Sequence, residues 1–210
     1  ENYKLVGIDA SGLELRMLAH YLDDEGYTNE ILNGDIHTAN QKLAGLQSRD
    51  QAKTFIYALL YGAGDAKLGT VAGRGREAGK RLRQSFFDNL PSFKTLTGRV
   101  QREAADGYVK GLDGRKLTVR SAHAALNTLL QGAGAIIMKQ AMILLDGKLK
   151  YLDAKFVANV HDEWQIECHE SVADQVGKLG VEAIIEAGKL LNLNCPLDGD
   201  YNVGNNWSET

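Results

Sequence analysis

Phe156-Val157-Ala158-Asn159-Val160-His161-Asp162-Glu163-Trp164-Gln165-Ile166 reads as two apolar strands around an acidic tip. Short runs rich in β-branched and aromatic residues, joined by a tight turn, pair as a hairpin. The tip is a poor turn, because His161-Asp162-Glu163 contains no glycine or asparagine for a positive φ. Two readings stay open for this hairpin alone: exposed turn acids, or carboxylates held for chemistry. A second apolar strand, Lys4-Leu5-Val6-Gly7-Ile8, ends at Asp9. A buried carboxylate there is costly unless it has a partner. Two aspartates held rigidly on adjacent strands can bridge two Mg²⁺ ions roughly 3.5–4 Å apart. Mg²⁺ favours one or two carboxylates completed by substrate phosphate oxygens.

Outward from these strands the chain is mostly helical. Leu13 to Leu22 has apolar residues at helical spacing, with Ser11 as the expected N-cap. Asp35 to Lys42 reads as a short helix, and Arg49 to Leu60 as a stronger one stopped by Gly62-Ala63-Gly64. Glu77 to Asn89 is a basic amphipathic helix that stops near Pro91, and Phe93 to Ala105 is another helix. Tyr108 to Arg120 predicts a β-hairpin turning at Asp113-Gly114. Ala124 to Lys150 is a long helical stretch through Gly132 and Gly134, and Val172 to Leu191 an amphipathic helix. A short closing segment runs from Asp198 to Trp207. The order predicts an α+β fold: a small antiparallel sheet with a large helical insertion and flanking helices.

Arg49, Lys53, Tyr57 and Tyr61 recur every four residues. Successive side chains drift only about 40° around a helix at that spacing, so all four share one face. Such a face can hold a triphosphate through its cations and stack a base and sugar on its tyrosines. The plainer alternative is a half-buried helix whose tyrosines pack the core.

Bulk composition excludes little. Apolar residues are 44% and charged residues 24%, as in an ordinary globular protein. Cys168 and Cys195 do not make a disulfide framework, which points to a reducing compartment. No unbroken apolar run approaches the roughly 18 residues of a membrane span, so no membrane partner is expected. The chain opens on Glu1-Asn2-Tyr3-Lys4, without signal peptide or starting methionine, which suggests a piece of a longer chain. The net charge of −3 argues weakly against nucleic acid, but the charge is uneven. Between Lys67 and Arg83 six basic residues face one acid, and between Lys94 and Arg120 seven face three. Gly73-Arg74-Gly75-Arg76-Glu77-Ala78-Gly79-Lys80 imitates a phosphate loop but has five residues between its outer glycines, then Arg81. It is read as a flexible basic loop. The histidines and cysteines show no zinc pattern.

Three stretches together resemble the motifs of family A DNA polymerases, the group of bacterial DNA polymerase I and the podophage replicative enzymes. Asp9-Ala10-Ser11-Gly12-Leu13-Glu14-Leu15-Arg16-Met17-Leu18-Ala19-His20 is similar to motif A. Arg49-Asp50-Gln51-Ala52-Lys53-Thr54-Phe55-Ile56-Tyr57-Ala58-Leu59-Leu60-Tyr61-Gly62 is similar to motif B, and Val160-His161-Asp162-Glu163 to motif C. Lesser matches are Gly34-Asp35-Ile36-His37-Thr38, Leu112-Asp113-Gly114-Arg115, Asn127 through Ala135 and Asn206-Trp207. The resemblance covers nearly the whole chain and leans to the podophage branch.

The resemblance implies a palm in residues 1–23 and 111–210, with fingers in 24–110 around the helix 49–61. It implies that Asp9 and Asp162 bind two Mg²⁺ ions with help from the Ala10 carbonyl, Mn²⁺ being able to substitute, and that Glu163 supports the primer end. Arg49, Lys53 and His37 would grip the triphosphate, with Lys53 also a proton donor to pyrophosphate. Tyr57 would stack on the incoming nucleotide, and Tyr61 would lie by the templating base. A tyrosine at position 57 resembles members that accept 3′-deoxy nucleotides. Glu14 would exclude the ribose 2′-hydroxyl. Arg115, Asn127, Gln131 and His161 would contact the DNA. Implied partners are primer-template DNA, dNTPs and an N-terminal segment or subunit carrying thumb and exonuclease, because motif A begins at the ninth residue. The implied location is the cytoplasm, that of the host cell for a viral protein. Two alternatives remain at this stage: a single-subunit RNA polymerase, and a non-catalytic DNA-binding subunit of a split polymerase.

Overall fold

The computed structural model describes residues 2–210. In chain order the first elements are β1 (Tyr3–Ala10), α1 (Leu13–Leu22), α2 (Glu25–Asn33), α3 (Ile36–Ala44), α4 (Arg49–Leu60), α5 (Asp65–Val71), α6 (Arg76–Asn89) and α7 (Pro91–Ala104). Next come β2 (Tyr108–Lys110), β3 (Lys116–Thr118), α8 (Ala125–Leu149), β4 (Ala154–Val160), β5 (Glu163–His169), α9 (Ala173–Leu190) and β6 (Gly199–Gly204). The α+β architecture expected from the sequence holds. The chain forms two compact units, one made of residues up to Met17 with Gly132–Thr210, the other of Leu18–Gln131.

The first unit is built on an antiparallel sheet of order β4-β5-β1-β6. Val6 and Ile8 of β1 and Trp164, Ile166 and Cys168 of β5 are fully buried, and they form its core. The amphipathic face of α9, with Val176, Ala183, Ile184 and Ala187 buried, covers β1 and β6. Gly180 permits this: a Cβ there would collide with the Ile8 side chain. Phe156 meets Trp164 edge-on at 6.1 Å between ring centroids. Between Phe156 and Ala158 the β4–β5 register slips, leaving Val157 as an extra, exposed residue. Such bulges bend a strand and re-aim the residues beyond them, here the acidic tip.

The second unit is helical. Ser48 caps α4 by accepting from Gln51 N–H at 3.2 Å, and Ala52, Phe55, Ile56, Leu59 and Leu60 form its buried side. Phe55, Phe86 and Phe93 continue this core in edge-on contacts of 5.9 and 5.1 Å. Asp35 caps α3. The false phosphate loop has a packing explanation. A Cβ on Gly79 would strike the Asp65 carbonyl, so this glycine lets α6 lie against α5. Strands β2 and β3 pair as expected, with Gly114 N–H donating to the Gly111 carbonyl at 2.9 Å, and β2 packs on α7. That contact groups the hairpin with the helices in the unit Leu18–Gln131.

Several expectations change. Ser11 does not cap α1: the first helical bond runs from Arg16 N–H to the Gly12 carbonyl, and the Ser11 hydroxyl donates to Asp200 Oδ2 at 3.1 Å. The closing segment contains a true strand, β6, paired along β1. Helices α2 and α5 lie where no element was expected. Residues Ala122–Leu149 are long and apolar enough, on average, to cross a membrane, although no unbroken apolar run is that long. Half of the most apolar window is buried in the protein. Leu126, Leu130, Ala133, Ile137, Ala141 and Leu145 recur there at helical spacing, as in a core helix.

Candidate active site

The sheet brings four acids to one end. Asp9 lies directly opposite Glu163 of β5 on one side and Asp200 of β6 on the other. The tip is tied to β1 by Ala10 N–H, which donates to the Asp162 carbonyl at 3.0 Å. Asp9 is exposed, which corrects the expectation of a buried carboxylate. Its pKa is nonetheless raised, first by partial desolvation and then by the charges of Asp162, Asp200 and Glu163. Glu163 is held by Trp207, whose indole N–H donates to Oε1 at 3.0 Å, and by Gln165. Asp200 was missed in the sequence. Its only signal there is an acid in a polar closing segment.

His161 opens the two-residue turn with φ +54°. Glycine usually takes this conformation, and a non-glycine residue there stores about 1–3 kcal/mol of strain. Two-residue hairpin turns take a positive φ, and here a histidine adopts it. Glu14 sits half-buried in the first turn of α1. Among the described residues no three His, Cys, Asp or Glu side chains converge to hold a metal ion unaided. The donor set still fits a hard divalent cation. It is made of carboxylate oxygens whose charges act on one another at Asp9, and Mg²⁺ prefers one or two carboxylates completed by phosphate oxygens.

In the helical unit, α4 presents Arg49 and Lys53 to the surface and Tyr57 at half exposure, and Tyr61, the residue just past its end, is exposed. Tyr61 is 53% exposed, so the alternative in which both tyrosines pack the core fails. His37, in the first turn of α3, lies 6.4 Å from Tyr57 between ring centroids. Burial lowers its pKa, and Arg49 and Lys53 lower it further, against the opposing effect of Asp35. Its Nδ1 is buried with no hydrogen-bond partner among the described residues. One helix face and the neighbouring helix start thus carry two cations, an imidazole whose pKa is held down, and two aromatic rings.

The remaining candidates lie in other settings. Arg115 is paired with Asp113 in the β2–β3 turn at 2.6 Å. Asn127, in the first turn of α8, has a buried Oδ1 without a partner among the described residues. Gln131 is exposed further along the same helix, and His161 is exposed at the acidic tip.

Comparison with known proteins shows the family and the fold. The profile of DNA polymerase family A matches residues 1–209. The DNA-directed DNA polymerase of Enterobacteria phage T3 is 45% identical over 230 aligned residues, covering 97% of this chain and 33% of that protein. DNA polymerase I of Aquifex aeolicus is 33% identical, covering 96% of this chain and 38% of that protein. The POL domain of Pol1 from M. smegmatis, solved in complex with DNA primer-template and dNTP, superposes with a TM-score of 0.89 at 26% identity. It covers all of this chain, which is 41% of that one. The chain spans about a third of the length of the curated relatives it matches.

Proposed function

This chain belongs to DNA polymerase family A, and on that footing we propose that it performs the chemical step of template-directed DNA synthesis. The observation that carries the reading is Asp9 held between Glu163 and Asp200, beside the strained tip bearing Asp162. By motif the palm takes in residues 1–23 and 111–210 and the fingers 24–110, so the palm holds the whole sheet-bearing unit together with residues 18–23 and 111–131 of the helical one. Divalent-metal dependence is general in this family, and the donor set fits it. Asp9, Asp162 and the Ala10 carbonyl would hold two Mg²⁺ ions, or Mn²⁺ in their place. Bound there, such ions would acidify the attacking primer 3′-hydroxyl and steady the leaving pyrophosphate.

The chain's own residues supply the rest. Arg49 and Lys53 bind the triphosphate through charge-assisted hydrogen bonds. Lys53 also donates a proton to the departing pyrophosphate. His37, its pKa lowered by burial and by its cationic neighbours, donates a ring N–H to the same phosphates. Tyr57 stacks on the incoming nucleotide, and Tyr61 stands by the templating base. Glu14 excludes the 2′-hydroxyl and so selects dNTPs. Glu163, oriented by Trp207 and Gln165, supports the primer end without needing to bind metal itself. Arg115, Asn127, Gln131 and His161 contact primer-template DNA. An N-terminal segment or subunit supplies the grip of a thumb, and any exonuclease, in the cytoplasm where replication takes place. The relatives' names favour DNA over an RNA product.

Primer extension tests this reading, run with the chain alone and with candidate N-terminal segments. Incorporation of dNTPs that is lost in Asp9→Ala and Asp162→Ala, with circular dichroism unchanged, is expected. Full synthesis by either variant overturns the assignment.

A further inference from the structure

Asp35 makes bonds in two directions. It caps α3 by accepting at Oδ1 from His37 N–H at 3.1 Å and Thr38 N–H at 3.4 Å, and at Oδ2 from the Thr38 hydroxyl at 2.9 Å. The same Oδ2 accepts from Arg49 Nε at 2.6 Å. Arg49 is the first residue of α4. One carboxylate therefore ties together the starts of two helices, one carrying His37 and the other Arg49 and Lys53.

Stability does not explain this pair. The Arg49 and Asp35 side chains are 52% and 42% exposed, and ion pairs so exposed contribute little to folding. The consequence for a ligand is larger. A free arginine loses much rotamer freedom when it grips an anion, whereas one already held loses little. The bond uses Nε, so the terminal nitrogens remain for a phosphate fork. The capped turn also holds His37, whose Nδ1 is the orphaned buried nitrogen.

We propose that Asp35 is a positioning residue of the triphosphate site: it holds the Arg49 guanidinium and the His37-bearing turn as one pre-formed anion-binding unit. The proposal rests on the functional reading above. It makes a prediction opposite to charge counting. Removing a carboxylate beside an anion site strengthens binding if only Coulomb forces act. Removing a positioning residue weakens it.

The test is calorimetric titration of the chain with inorganic tripolyphosphate and with dATP, neither of which requires DNA. The variants are Asp35→Asn, Asp35→Ser, Arg49→Ala and the Asp35→Asn/Arg49→Ala pair. Asn and Ser both remain good N-caps, so α3 is kept while the carboxylate that holds Arg49 is lost. Asp35→Asn is expected to weaken binding about three- to tenfold, the range for freeing one long side chain, with melting unchanged. Asp35→Ser, which keeps the cap without an amide, should show the same loss, and it replaces Asp35→Asn as the test if that variant melts early. The double variant should bind no more weakly than Arg49→Ala alone, because Asp35 acts through Arg49. In primer extension the loss should fall on KM for dNTP and spare kcat. Equal or tighter binding by the Asp35 variants, or losses that add, overturns the proposal. Equal binding by wild type and Arg49→Ala overturns instead the functional reading on which it rests.

Discussion

Consider Asp9→Asn in a buffer free of divalent ions. Asn matches Asp in size, so the change removes a charge and little else. Asp9 stands directly opposite Glu163 on one neighbouring strand and Asp200 on the other. Like charges so placed destabilise a sheet, each cross-strand pair being worth about 0.2–1 kcal/mol. Deleting the central charge relieves both pairs, for an expected gain of about 1 kcal/mol. For a chain of this size that raises Tm by about 2–4 °C. Titration gives the same sign. The folded carboxyl has a pKa above its ordinary 3.8, so ionised Asp9 weakens the fold. That loss is absent below pH 3.8, grows as pH passes through the raised folded value, and is complete above it. The two proteins should therefore melt together in acid and separate at neutral pH. Adding Mg²⁺ should raise the wild-type Tm by mass action and the variant's less. Scanning calorimetry at neutral and acid pH, in EDTA and then in Mg²⁺, measures all of this. A variant that melts at or below wild type at neutral pH in EDTA refutes the reasoning, as does an equal response to Mg²⁺.

Gly180→Ala places a methyl group against Ile8, and overpacking of this kind should lower stability by about 1–3 kcal/mol in urea unfolding. Unchanged stability there would mean that α9 can lift from the sheet freely. Lys53→Ala should lower kcat by about 10²-fold or more if Lys53 is the proton donor to pyrophosphate. A loss confined to KM would leave it a binding residue only. Glu14→Ala should admit ribonucleotides, read as the ratio of rNTP to dNTP incorporation, and an unchanged ratio counts against its role at the sugar.

The helix α4 was legible because its signal is local. Four-residue spacing alone places Arg49, Lys53, Tyr57 and Tyr61 on one side, and the buried Ala52, Phe55, Ile56 and Leu59 confirm the division. The acidic tip was legible through what it lacks: without glycine, a tight turn there had to be strained, and His161 shows the strain. Asp200 was not legible. Its strand holds two glycines and polar residues, and it becomes a strand only by pairing with β1 at the far end of the chain. No periodicity encodes a pairing so distant. The link from Asp35 to Arg49 was hidden for a related reason: it joins two helices across a loop and leaves no repeat in the sequence. Helix α2 buries only Tyr27 and depends on the Asp24 cap, so its apolar pattern was too sparse to read. The unit boundaries fall inside α1 and α8, where composition does not change.

The chain has two tryptophans, and they sit in opposite environments. Trp164 is sealed in the sheet core with no exposure, while Trp207 is 51% exposed and donates its indole proton to Glu163. The protein thus contains its own optical probe. Charge arriving beside Asp9 should alter the field on the Trp207 ring through Glu163 and shift its emission. The buried indole, out of reach of water, provides the constant background against which that shift is read.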